Sequence, residues 1–245
     1  WTASKDGCTA YDDIKIINNR PSDALIGLAE TQEICEDTFG IIADPPVYGT
    51  GKWSVIEGTG DIVDENTTTT LARNLSRGPN AINKIIWTVT KGSCTSVDTI
   101  TITNNRVIAT ITKGTQNICV DTAELIAINP SIGTGLWAVT NGNGSFSETN
   151  PSHFKITLRD IPRNYPDGLT EVFSAVRWTV TEGKCSDYQD IEIRNNAFDI
   201  EAGDQQFLCK KTTNLDGENP QQTYTGEWSL ISGTGSIRTS SLFNT

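Results

Sequence analysis

Methionine is missing from this 245-residue sequence, and histidine occurs once, at His153. A Ser- or Cys-based catalytic triad needs a histidine base. His153 falls in the stretch that varies most between the internal repeats described below, so it reads as a surface-loop residue. No Cys-x-x-Cys occurs, which leaves zinc ligation unsupported. No apolar run approaches the ~20 residues of a membrane-spanning helix, and no secretory leader is visible. The sequence opens at Trp1 in the middle of a motif that recurs later, so it is read as a piece of a longer chain. Positive charge is scarce: 19 Lys and Arg against 30 Asp and Glu give a net charge of −11. An acidic surface repels phosphate backbones, which argues against nucleic-acid binding and favours solubility. Long amphipathic helical patterns are also missing.

What is present is a repeat. Trp1-Thr-Ala-Ser-Lys-Asp-Gly-Cys8 recurs as Trp87-Thr-Val-Thr-Lys-Gly-Ser-Cys94 and as Trp178-Thr-Val-Thr-Glu-Gly-Lys-Cys185. Each is followed by an Ile-x-Ile pattern (Ile14 and Ile16, Ile100 and Ile102, Ile191 and Ile193) and closed by an Asn pair at 18–19, 104–105 or 195–196. A second set interleaves: Gly51-Lys-Trp53, Gly135-Leu-Trp137 and Gly226-Glu-Trp228, each leading to a Gly-x-Gly at 58–60, 142–144 or 233–235. A third set, Gln32-Glu-Ile-Cys35, Gln116-Asn-Ile-Cys119 and Gln206-Phe-Leu-Cys209, precedes its Trp by 18, 18 and 19 residues. The period is 86 residues and then 91. Two whole repeats therefore cover about 20–105 and 106–196; residues 1–19 end an earlier repeat and 197–245 begin a later one. The extra residues of the second repeat fall in 161–168, which reads as a loop.

Units of this length with short alternating strands and frequent Gly turns predict an all-β chain of tandem immunoglobulin-like antiparallel β-sandwiches. Ile85, Trp87 and Val89 alternate with polar residues, as do Val176, Trp178 and Val180, so each set gives one buried face. With the Ile-x-Ile return strand they form the late hairpin, strands F and G in immunoglobulin terms. The Trp53, Trp137 and Trp228 strands fit strand C beside F. Trp53, Trp87, Trp137, Trp178 and Trp228 are thus expected as structural core, with two indoles side by side per domain. The alternative use of such rings, as a carbohydrate-stacking platform, needs them exposed. The Gly-x-Gly pairs read as turns needing positive φ; no Lys-Ser/Thr and no helix follow, so they are not phosphate loops. The short joints at the Asn pairs predict a stiff rod.

The six cysteines fall into two repeated classes, which points to structural disulfides and an oxidising location. The simplest pairing joins the classes within each whole repeat, Cys35–Cys94 and Cys119–Cys185, and leaves Cys8 and Cys209 without partners. The first cysteine belongs near the A–B end of a sandwich and the second near the F–G end, while a disulfide needs Cα atoms within about 7 Å. A cross-domain pair such as Cys35–Cys185, or free buried thiols, therefore stays open.

No other constellation carries chemistry. Asp12-Asp13 and Glu30 with Glu33 read as solvated carboxylates. Asp61, Asp64 and Glu65 form a possible calcium cluster, but later repeats carry Ser145 and Ser236 in place of Asp61. Asn66 and Asn74 open N-glycosylation sequons, a frequent chance match. No catalytic, cofactor or metal site is expected, and the chain is not read as an enzyme. Tyr48, Tyr165 and Tyr188 are the aromatic residues on which a polysaccharide-binding reading would rest.

The joined motif, from Gln-x-Ile-Cys through Gly-x-Trp and Gly-x-Gly to Trp-Thr-Val-Thr-x-Gly-x-Cys and Ile-x-Ile, resembles the PKD-like, immunoglobulin-like repeats of very large Bacteroidetes surface proteins. In particular it is similar to the repeats of SprB-like gliding-motility adhesins. The resemblance covers essentially the whole chain. It implies export by type IX secretion, cell-surface display in association with the outer membrane, cell adhesion and gliding motility, and contact with that machinery, with neighbouring repeats and with surface polysaccharide or substratum. It also implies O-glycosylation at Asp-Ser/Thr-aliphatic sites, where Thr122 is the favoured acceptor over Thr99. An accessory role on a secreted hydrolase is a further alternative.

Overall fold

The computed structural model describes all residues except 79–80, 149, 164–171, 219–224 and 242–245. Among the described residues every regular element is a strand. The chain divides into two compact units, one of residues 1–108, 130–134 and 180–187, the other of residues 109–129, 135–179 and 188–245.

Residues 1–19 contribute one hairpin, β1 (Thr2–Lys5) and β2 (Cys8–Tyr11). Asp6 and Gly7, both at positive φ, form its two-residue loop, the arrangement that matches the twist of the flanking strands.

In the 20–105 repeat, a four-stranded sheet runs β3 (Thr31–Ile34), β9 (Cys94–Asn104), β8 (Ile82–Lys91), β5 (Thr50–Glu57). A three-stranded sheet runs β4 (Thr38–Ile42), β7 (Thr69–Arg73), β6 (Asp61–Ile62). The 106–196 repeat has the same order: β10 (Gln116–Ile118), β16 (Cys185–Asn195), β15 (Ser174–Glu182), β12 (Thr134–Asn141), and then β11 (Ala123–Ile126), β14 (Lys155–Arg159), β13 (Ser145–Phe146). These are the A′GFC and BED sheets of an immunoglobulin-like sandwich, and the hairpin and strand C are where the alternation of Val, Ile and Trp puts them. The edge strand departs from the rule: β3 pairs with β9, and β10 with β16, in parallel. Side-chain alternation says which face is buried and nothing of strand direction.

The core of the first repeat is built on Trp53 and Trp87, directly opposite across β5 and β8. Both are buried, with ring centroids 4.8 Å apart and planes tilted by 47°. Trp137 and Trp178 repeat the pair at 5.0 Å and 47°. The strand-C indoles each donate to a backbone carbonyl, Trp53 Nε1 to Thr67 at 2.9 Å and Trp137 Nε1 to His153 at 3.1 Å. The strand-F indole packs against the glycine two residues before the strand-C tryptophan. A Cβ on Gly51 would stand 2.0 Å from the Trp87 ring, and one on Gly135 1.9 Å from Trp178. The glycine of Gly-x-Trp is therefore required by a neighbouring ring rather than by backbone torsion. At Gly58 torsion does matter: φ is +94°, and a Cβ would meet the buried Asn83 Oδ1 at 2.4 Å.

Trp228 departs from the expected core role. It is half-buried. Its backbone N–H still donates to Ser240 O at 2.7 Å, as those of Trp53 and Trp137 donate to Glu65 and Pro151.

Gly51→Ala is expected to cost about 1–3 kcal/mol, the range for overpacking a filled core, read as a lowered urea midpoint. Gly40→Ala, in β4 with open space around the added Cβ, is expected to leave the midpoint unchanged or slightly raised.

Candidate functional site at the Cys35–Cys185 disulfide

The parallel edge strand decides the cysteine chemistry. Ile34 on β3 is level with Asn104, the last residue of β9, while Cys94 is its first. At about 3.3 Å per residue, Cys35 and Cys94 stand roughly 35 Å apart along the sheet. Ile118 is likewise level with Asn195 at the far end of β16 from Cys185. Neither expected intra-repeat bond, Cys35–Cys94 or Cys119–Cys185, satisfies the reach of a disulfide. The bond that forms is Cys35–Cys185, across 150 residues of sequence and with Cα atoms 5.3 Å apart. Cys8, Cys94, Cys119 and Cys209 are free and exposed.

Local sequence builds the surroundings of this bond. Gly183, at φ +54°, takes the first of the two loop positions between β15 and β16, where a tight hairpin of the II′ kind takes glycine. The Lys184 N–H then donates to Glu33 Oε1 at 3.0 Å, and Asn105 Nδ2 donates to the same oxygen at 2.8 Å. Lys184 Nζ lies 3.7 Å from Glu33 Oε2. A Cβ on Gly183 would fall 2.0 Å from Glu33 Oε1 and 2.8 Å from Asn105 Nδ2, so a larger residue would displace the Glu33 carboxylate from its donors. The backbone N–H of Lys184, then the Asn105 amide, hold the Glu33 carboxyl below its ordinary pKa.

The Asn pairs supply the frame. Asn18, Asn104 and Asn195 each accept, through Oδ1, the N–H two residues on, at 2.9, 3.1 and 3.0 Å. At Asn104 and Asn195 this side-chain turn stops strand G and starts the next segment. The second Asn of the pair donates its backbone N–H to the edge strand, Asn105 to Ile34 O at 2.9 Å and Asn196 to Ile118 O at 2.7 Å. Beside it, Asp37 accepts from Arg77 at 2.6 Å, from Arg106, and from Asn104 at 3.4 Å. Partial burial works against ionisation of Asp37, but the Arg77 hydrogen bond and the Arg77 and Arg106 charges outweigh it and hold the carboxyl below its ordinary value.

The remaining candidates disperse. Asp61 is held by Arg73 and Asn74 at 2.8 and 2.7 Å, Asp64 accepts the Asn66 N–H at 3.0 Å, and Glu65 pairs with Lys52 at 2.8 Å. Among the described residues no three His, Cys, Asp or Glu side chains gather as a metal site. Asp12 Oδ1 accepts the N–H of Asp13, and Glu30 is exposed. His153 is exposed and touches Glu148. Tyr48 and Tyr188 are exposed, with Lys91 Nζ 5.0 Å and the Arg177 guanidinium 3.7 Å from their ring centres. Arg177 is itself fixed by Asp190 through two bonds of 2.7 and 2.8 Å. Tyr165 and most of the 161–168 loop lie outside the described residues. Thr122 is exposed between β10 and β11, whereas Thr99 lies within β9. Glu33, grouped by its sequence with solvated carboxylates, and Gly183 are the site residues that sequence reasoning passed over. Their signal was the Gly retained ahead of the late cysteine and the Asn pair that recurs with it.

No protein-family model matches the chain. No curated protein matches it either. Among solved structures, it is similar to the insect immune protein hemolin (10% identity, TM-score 0.44, covering 80% of this chain and 55% of hemolin). It is also similar to Drosophila OTK extracellular domains 3–5 (10%, 0.36, 71% and 59%) and to an I-band fragment of titin (8%, 0.35, 90% and 86%). The chain thus spans little more than half the length of the first two. The immunoglobulin-like assignment rests on strand order and the Trp pairs.

Two outcomes are expected here. Cys35→Ser with Cys185→Ser should lower stability by about 2–4 kcal/mol, as for removal of a long-loop disulfide, measured by urea unfolding without reductant. Asp37 has a depressed native pKa, so its contribution is fully present above the unfolded value of about 3.9 and is lost as pH falls through the native one. Asp37→Asn should therefore lower stability at pH 7 and flatten its fall below about pH 4, followed by acid titration of the unfolding midpoint.

Proposed function

We propose that this chain is a stalk segment of a cell-surface adhesin, in which folded sandwiches provide reach and a disulfide between repeats bears load. The observation that carries the reading is the long-span disulfide. Pulled from its two ends, the chain transmits tension through Cys35–Cys185, and the residues between them are bypassed. At about 3.5 Å per extended residue, the 150-residue span withholds about 500 Å of extension. A protein that only displays a binding loop has no need of such shielding. The recurrence of Trp, Gly, Asn and Cys in register, with divergent loops between, fits the same purpose. A structural disulfide also fits export to an oxidising compartment.

The finer parts of the reading stand on the motif resemblance: a gliding-motility adhesin of the Bacteroidetes, type IX secretion, outer-membrane association and O-glycosylation of Thr122. The exposed Thr122 hydroxyl supports the last of these. A polysaccharide-binding role has the exposed Tyr48 and Tyr188 in its favour, although each has a cation over its ring.

Single-molecule stretching of the chain from its ends tests the proposal. Extension without reductant should fall short of extension with reductant by about 500 Å. Equal extension in both conditions, or saturable polysaccharide binding lost in Tyr188→Ala, overturns the stalk.

A further inference from the structure

The two ends of the Cys35–Cys185 bond are not equivalent within the repeat. Cys35 follows the edge strand of the 20–105 repeat, and Cys185 opens the return strand of the late hairpin in the 106–196 repeat. Each whole repeat also carries the other kind of cysteine. Cys119 holds in the second repeat the position of Cys35, and Cys94 holds in the first the position of Cys185. Both are exposed thiols.

Their surroundings repeat as well. Gly92 in the β8–β9 hairpin is set against Asn19, the second Asn of the preceding pair: a Cβ on Gly92 would lie 2.7 Å from Asn19 Nδ2. Gly183 stands to Asn105 in the same way, at 2.8 Å. The Gly–Asn contact beside Cys185 is therefore built a second time beside Cys94, using Asn19 of the pair at 18–19. At the other end, the positions equivalent to the covered Ile34 and Asn105 are Ile118 and Asn196. Ile34 is 8% exposed and Asn105 7%, whereas Ile118 is half-exposed and Asn196 exposed. The second repeat thus carries a copy of the surface that receives a late hairpin in the first.

We infer that Cys94 and Cys119 are halves of two further inter-repeat disulfides in the register of Cys35–Cys185. Cys119 takes the late-hairpin cysteine of a following repeat of this kind, and Cys94 takes the edge-strand cysteine of a preceding one. Cys8 and Cys209 belong to the same series. In each bond two thiols lose two protons and two electrons to one disulfide of an oxidised dithiol protein or small-molecule disulfide, which leaves as two thiols. The resulting covalent loops overlap, because Cys94 and Cys119 both lie inside the 35–185 loop and their partners lie outside it. Reduction of one bond then leaves the chain on either side within the loops of its neighbours. This goes beyond the stalk reading, since the Cys35–Cys185 clamp bears load whether or not the others form.

The test is non-reducing peptide mapping of the native protein, with free thiols blocked by N-ethylmaleimide at lysis. Cys119 is expected in a peptide linked to a Gly-x-Cys hairpin cysteine, and Cys94 in one linked to a Gln-x-(Ile/Leu)-Cys cysteine, with neither carrying the maleimide. Denaturing gels without reductant distinguish the source of the partner: monomer mass means a repeat of the same polypeptide, and a ladder lost on reduction means a second copy. Either source supports the inference. Maleimide on both Cys94 and Cys119, a Cys94–Cys119 bond, or either cysteine joined to Cys35 or Cys185 overturns it.

Discussion

The structure depends first on an indole lying on a glycine. Trp87 covers Gly51 and Trp178 covers Gly135 so closely that a single methyl would collide with the ring. This contact brings β5 and β8, or β12 and β15, into register, and that register sets Trp53 and Trp137 opposite their partners. Burial of two large aromatic rings supplies much of the apolar area available to so small a sandwich. β8 and β15, which carry the strand-F rings, lead through the late hairpin into β9 and β16, which end on the Asn pairs.

The second dependence is on strand direction. A parallel edge strand places Cys35 beside the end of strand G and the hairpin cysteine at its beginning. One repeat cannot then join its own two cysteines. The same geometry brings the Asn pair beside the edge-strand cysteine, where Asn105 meets Glu33 and the Gly183–Lys184 turn. Closure of the chain over 150 residues is thus a consequence of how the first strand of each sandwich enters its sheet.

Much of this was legible in the residues alone. Spacing gave the repeats, alternation gave the buried faces of β8 and β15, and the hairpin glycines marked the turns, because each reflects local backbone geometry. The disulfide partner was not legible, since a cysteine pattern has no direction and the parallel pairing of β3 leaves no trace in side-chain alternation. Nor was the reason for Gly51, whose torsion is ordinary and whose constraint comes from a ring 36 residues away in sequence. Trp228 shows the limit from the other side: its Gly-x-Trp and Gly-x-Gly match the other copies, yet it is half-buried. Glu33 looks solvated in sequence because its partners, Asn105 and Lys184, come from two different repeats.

The central claim is that the recurring tryptophans are framework and take no part in ligand contact. Hydrogen exchange at the indole N–H groups of the whole chain tests it most directly. Trp53, Trp87, Trp137 and Trp178 should exchange only on global unfolding, at rates indifferent to added polysaccharide, while Trp1 exchanges at the rate of free indole. Fast exchange at any of the four, or a change on adding polysaccharide, would place those rings at the surface and contradict the account.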